Sequence, residues 1–215
     1  MNLCLTLTDI QWGLTKDVAS VIGSLASLGA VAAAVFFGWQ GLKAWKQQLQ
    51  GTANHELSRK LLVATYLYEA SLNSARDIGL SLDELGEEDV QQIASLKNDQ
   101  KRFAFTYTIY RTRLEKIETC LVPVRACLME ARALWGSELE SLMDDLIKMK
   151  DEWWTIARRY SSAMNPEEDS ETRELYAKAW IEHKGVLYDD DKNNEFGQRF
   201  SQHLSKVEAY LRAKM

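Results

Sequence analysis

Between Val18 and Leu42 the chain carries no charged residue, and beyond Lys43 apolar residues recur at helical spacing almost to the end. The uncharged run is long enough for a membrane span, which needs about 20 mainly apolar residues. It is flanked by Asp17 and Lys43, with Trp39 and Trp45 at one end and Trp12 before the other. Indole rings favour membrane–water interfaces. The pattern therefore predicts a transmembrane helix over residues 18–42, with Trp12, Trp39, Lys43, Trp45 and Lys46 as interface anchors. Two competing readings are an Ala-rich core helix of a soluble bundle and a cleaved signal peptide. Against the signal peptide, the preceding segment is long and sets Lys16 against Asp9 and Asp17, so it lacks a positive excess.

The next stretch, "WKQQLQGTANHELSRKLLVATYLYEASLNSARDIG", reads as helix with a weak point at Gly51-Thr52. Leu57, Leu61, Ala64, Tyr68 and Ala75 make its buried stripe, and Gly79 is expected to end it. "SLDELGEEDV" reads as a loop or short turn. A second helical region is predicted from about Val90 to Trp135, buried along Phe103, Tyr107, Tyr110, Leu114, Ile117 and Leu121. Pro123 should kink or interrupt it, because proline lacks the backbone donor and crowds the preceding turn. Gly136 is the expected cap. Ser137 and Glu140 then have capping-box spacing, opening a helix that should stop before Pro166. A shorter helix near Thr172–His183, an acidic link, and a last helix on Phe196, Phe200, Leu204, Val207 and Leu211 complete the chain.

The expected fold is all-α: one N-terminal transmembrane helix followed by an antiparallel cytosolic bundle of four or five helices. Residues 1–17 form a short extracytoplasmic tail, 18–42 the span and 43–51 a juxtamembrane segment. Residues 52–164 form the bundle, and 165–215 add helices packed on it. Only two prolines interrupt the chain, which favours long helices.

Charge adds orientation. Lys43, Lys46, Arg59 and Lys60 follow the span and only Lys16 closely precedes it, so the large domain belongs in the cytoplasm and the tail outside. The net charge of −5 argues against a broad nucleic-acid surface, which needs clustered cations. "KNDQKRFAFTYTIYRTR" interleaves cations with aromatics, but Phe103, Tyr107 and Tyr110 share a helical face, as core residues do. No nucleic-acid partner is expected. Three cysteines make no disulfide framework; Cys120 and Cys127 read as free thiols in a reducing cytosol.

No phosphate loop, dinucleotide glycine pattern or nucleophile elbow is present. His55, His183 and His203 stand apart, without metal-site spacing. In "DDDKNNEFG", Asp189, Asp191 and Asn193 have the alternation of a calcium loop. However, the sixth position is Asn194 rather than Gly, and the twelfth is Phe200 rather than Glu. Neither a metal nor a cofactor is expected, and no catalytic residue is assigned. "DEWWTIARRY" places Trp153 and Trp154 side by side. A wide apolar face holds both; otherwise one is exposed and serves as a partner anchor.

Within the span, Ala26, Ala30, Ala34 and Gly38 recur every four residues. Small residues at this spacing let helix backbones approach, so this face is the expected site of self-association. Ser20, Ser24 and Ser27 either line a pore or bond back to their own helix.

At "WKQQLQGTANHELSRKLLVATYLYEA" the sequence resembles a loose group of uncharacterised bacterial single-span proteins. They share a W-x-x-Q-L-x-G segment after the span and a helical soluble region. The matching residues are Trp45, Gln48, Leu49, Gly51, Glu56, Leu57 and Leu61. "YDDDKNNEFGQRFSQHLSKVEAYLR" is similar to the same group. The resemblance implies a bacterial or phage-related source and carries no catalytic residue over. The expectation is a self-associating interaction or effector protein anchored in a bacterial inner membrane, binding an unidentified cytosolic protein. This kind of bacterial protein suggests a stress or phage-defence setting. The alternatives are an enzyme with an unrecognised site, and a simple tether or channel subunit.

Overall fold

A computed structural model describes residues 9–189 and 194–215, with side chains from Lys16 onward. The regular structure among the described residues is all helical, with no strand. The helices are α1 (Asp9–Ala75), α2 (Glu87–Ser95), α3 (Asn98–Trp135), α4 (Glu138–Ser162), α5 (Ser170–Glu182), α6 (Lys184–Leu187) and α7 (Glu195–Arg212). A short 3₁₀ turn, Leu82–Glu84, lies between α1 and α2. The chain divides into two units, Met1–Ala53 and Asn54–Met215.

The first unit is the upstream part of α1. From Lys16 to Ala53 every residue is exposed, including Val21, Leu28, Val35 and Leu42. Helix α1 is 67 residues long and passes Gly51-Thr52 as one helix. There the Thr52 hydroxyl donates to the Gln48 carbonyl at 2.9 Å.

The second unit is organised around α4, which packs against α3, α5, α6 and α7. Its buried stripe includes Leu139, Met143, Leu146, Met149, Trp153 and Ile156. The downstream part of α1 joins this core through Leu57, Leu61, Ala64, Tyr68, Leu72 and Ala75. The Tyr68 hydroxyl donates to the Leu146 carbonyl at 3.0 Å. Burial without charge compensation pushes that phenol far above its ordinary value. Phe196, Phe200, Leu204, Val207 and Leu211 of α7 are buried, and Phe200 lies 6.0 Å from Tyr68, ring centre to ring centre.

Several local expectations are corrected. Helix α1 ends at Ala75 rather than Gly79. The region expected as one helix from Val90 is two, because Leu96 and Lys97 are extended. Ser95 bonds back to the Gln92 carbonyl at 2.7 Å, and Asp99 favours the new N-terminus. Pro123 lies inside α3 without interrupting it. It faces outward, so the lost hydrogen bond lies toward solvent, while Leu121 and Val124 keep the helix on the core. Ser137 makes no cap: its backbone is helical and its hydroxyl bonds no cap amide. Glu140 instead pairs with Arg132 at 3.3 Å. The capping box that does form is Ser81 with Glu84, on a 3₁₀ turn in the segment expected to be a loop or short turn. Gly136 ends α3 with φ +82°, a positive value that favours glycine, but its ψ of −164° is not that of the expected αL cap.

Removal of Trp153 tests this core. It is the largest fully buried side chain, with ring contacts to Tyr110 at 6.0 Å and Trp154 at 6.5 Å. Trp153→Ala should cost about 3–5 kcal/mol of unfolding free energy in urea. Residues 54–215 alone should be soluble and strongly helical by far-UV circular dichroism. A mainly β spectrum would overturn the fold class.

Candidate functional site

The strongest chemical anomaly is on α1. Phe37, Trp39, Leu42 and Trp45 are more than three-fifths exposed, and the helix holding them is long and apolar enough to cross a membrane. Monomeric soluble proteins rarely leave so continuous an apolar surface in water. Ala26, Ala30, Ala34 and Gly38 are all exposed on this helix, and a Cβ built on Gly38 would meet nothing within 4 Å. Lys43 and Lys46 are exposed beyond the uncharged run. The side chain of Trp12 lies outside the described residues, as do Cys4, Asp191 and Asn193. Ser24 and Ser27 donate to the carbonyls of Ser20 and Gly23, each at 2.9 Å. Their protons are used within the helix rather than offered to a neighbour.

At the far end of α1 two arginines build a polar corner. Arg113, 5% exposed, donates through Nη1 to the carbonyls of Ala75 at 3.0 Å and Asp77 at 2.7 Å. Its Nε and Nη2 each reach a Glu84 oxygen at 2.7 Å, and Nη2 also meets the Gly79 carbonyl. Every guanidinium nitrogen thus finds an acceptor in one turn of chain, which lysine cannot reproduce. The hydrogen bond from Arg113 holds the Glu84 carboxyl below its ordinary range.

Arg76, 2% exposed, donates to the carbonyls of Val186 at 3.1 Å, Gly185 at 2.9 Å and Tyr188 at 3.2 Å. Its guanidinium lies 4.6 Å from the centre of the Phe196 ring, a cation–π geometry. Asn194 completes the joint, donating to the Gly185 and Tyr188 carbonyls while accepting from the Phe196 amide at 2.9 Å. These groups hold helix ends together, and none presents a nucleophile beside a base.

The anchors proposed on α4 divide. Trp153 is fully enclosed and unavailable to a partner; Trp154 is half-buried and lies 6.3 Å from Tyr107. A shallow apolar groove lies where α1 meets α3, lined by Val63, Leu67, Pro123 and Cys127 with Arg59 and Lys60 at its edge. Val122 and Met129 are exposed on the same α3 helix. The recess beside α7 gathers Glu152, Glu182, His183 and Arg199, but Glu152 takes the Arg199 charge at 2.6 Å. Among the described residues no group of His, Cys, Asp and Glu could hold a metal ion.

No family model matches the chain, and no curated protein or solved structure matches it. The functional reading therefore rests on this chain's own residues.

Sequence reasoning missed Arg76, Arg113 and Asn194. Arg113 left a faint signal: it stands three residues after Tyr110 and four before Ile117, on the buried stripe. Arg113→Ala should cost about 1–3 kcal/mol in urea denaturation, because it leaves the carbonyls of Ala75, Asp77 and Gly79 without their donor. Glu84→Gln tests the pH dependence. The folded value of Glu84 lies below its ordinary 4.5, so its contribution is full above that value and fades as pH falls through the folded value. Urea denaturation should show the variant weaker at pH 7 and nearly equal to the parent well below pH 4.5.

Proposed function

We propose that this protein is a single-pass, self-associating interaction protein of a bacterial inner membrane, with residues 54–215 in the cytoplasm. One observation carries the reading: α1 exposes a continuous apolar surface over a length that fits a bilayer. The cations Lys43, Lys46, Arg59 and Lys60 beyond the run support a cytoplasmic domain. The row Ala26, Ala30, Ala34 and Gly38 supports self-association, since it offers a face of close approach inside lipid.

The domain reads as an antiparallel helical bundle. Tyr107 meets Trp154 and Glu118 meets Lys150, whereas Arg132 meets Glu140, so contacts between α3 and α4 run in opposite chain directions. Its role is to bind a cytosolic protein. The apolar groove at Val63, Leu67 and Pro123 supports that role, because a protein partner supplies the apolar side chains to fill it.

Topology is the test. Full-length protein should sediment with membranes, resist carbonate extraction and enter solution only with detergent. A C-terminal green fluorescent protein should be bright, and a C-terminal alkaline phosphatase inactive. Full-length protein in the soluble fraction without detergent would overturn the reading, and an active phosphatase would reverse its orientation.

A further inference from the structure

The polar segment after the uncharged run keeps only two large apolar residues, Trp45 and Leu49, among Lys43, Ala44, Lys46, Gln47, Gln48 and Gln50. With Leu42 they are spaced by three and then four, the a–d–a pattern of a two-stranded coiled coil. The same register extends backward through the uncharged run. Its a positions are Val21, Leu28, Val35, Leu42 and Leu49, all apolar and all more than half exposed. Its d positions are Ser24, Val31, Gly38 and Trp45. The register stops beyond Thr52, where Glu56 and Arg59 would fall on the seam. That is also where the first unit ends, at Ala53, and where Leu57 turns to its own domain's core.

We infer that a second copy of this chain seats on the Leu42–Trp45–Leu49 face, in a parallel, in-register coiled coil that carries the membrane contact into the cytoplasm. This rests on the membrane-anchored reading. Copies inserted in one orientation stand parallel at one depth, so each residue meets its own counterpart. The seam suits such self-matching, because it is uncharged from Val21 to Leu49. Lys46, at position e, faces uncharged Gly41 at position g of the second copy, so no like charges are forced together.

The bilayer is a poorer occupant. At 1.5 Å per residue a helix continuing straight out lifts Leu49 about 10 Å beyond Leu42, past the headgroup layer. A lone water-exposed helical segment is also marginal without a packed face. The row Ala26, Ala30, Ala34 falls at positions f, c and g, winding from the face opposite the seam toward it, and meets the seam only at Gly38. Its four-residue spacing favours a right-handed crossing that would splay the helices beyond the bilayer.

Cysteine crosslinking of the full-length protein in isolated membranes separates these geometries. In a background of Cys4→Ser, Cys120→Ser and Cys127→Ser, single changes Leu49→Cys, Gln47→Cys and Ala30→Cys are oxidised mildly. All three positions are exposed, so folding of the domain is not at stake. The expected result is that Leu49→Cys runs mostly as a disulfide-linked dimer while Gln47→Cys, on the opposite face, stays monomeric. Equal crosslinking at Leu49→Cys and Gln47→Cys would overturn the seam. Crosslinking at Ala30→Cys without Leu49→Cys would overturn it too, but would preserve self-association through the small-residue row. No crosslinking at any position would remove both, and leave membrane anchoring to the fractionation result.

Discussion

Helix α1 satisfies two environments with one uninterrupted backbone, and the rest of the molecule depends on how it does so. From Lys16 to Ala53 its side chains are exposed among the described residues, so its apolar surface needs lipid or another protein. Downstream of Asn54 the same helix lends Leu57, Leu61, Ala64, Tyr68 and Leu72 to a conventional core. The change needs no loop. It is made by moving the apolar stripe around the helix, from the Leu42–Leu49 face to the Leu57–Tyr68 face, while the hydrogen-bonded spine continues.

Within the domain, the close of α1 is a polar problem solved by side chains. The last carbonyls of a helix lack intrahelical donors, and at Ala75 that need is met by Arg113 from another helix. Arg76 does the converse, lending its guanidinium to carbonyls around α6. Apolar packing on α4 supplies the bulk of the contacts, and the arginine corner fixes where α1 stops. Breaking either element exposes the other: without the core, the arginines have no burial to stiffen their hydrogen bonds; without the arginines, buried carbonyls go unmet.

What was legible in the sequence follows from what periodicity encodes. The α7 stripe Phe196, Phe200, Leu204, Val207 and Leu211 is buried in full, because a short amphipathic helix has one face to hide. The α1 stripe is equally plain. On α3 the expected Phe103 and Tyr107 are only half-buried, while Thr106, Ile109 and Arg113 lie deeper. Aromatic residues had drawn the stripe slightly off its true line. Arg76, Arg113 and Asn194 were out of reach for a different reason. Their acceptors are mainly backbone carbonyls, which every residue carries and no residue type announces. The exposed apolar stretch of α1 was legible because charge exclusion over such a length has few other causes.

The position of α7 gives the fold a timetable. Ribosomal synthesis delivers domains from the N-terminus at about 5–20 residues per second. The core face of α1 is therefore made on the order of ten seconds before Phe200 arrives to cover Tyr68. During that interval the nascent chain holds a hydrophobic stripe whose α7 cover is still unsynthesised. A chain cut ahead of Glu195 would stay in that state, with Tyr68 lacking Phe200 and Arg76 lacking the Phe196 ring. Such products should be conspicuous to chaperones and proteases, so α7 doubles as the cover that hides the α1 stripe from them.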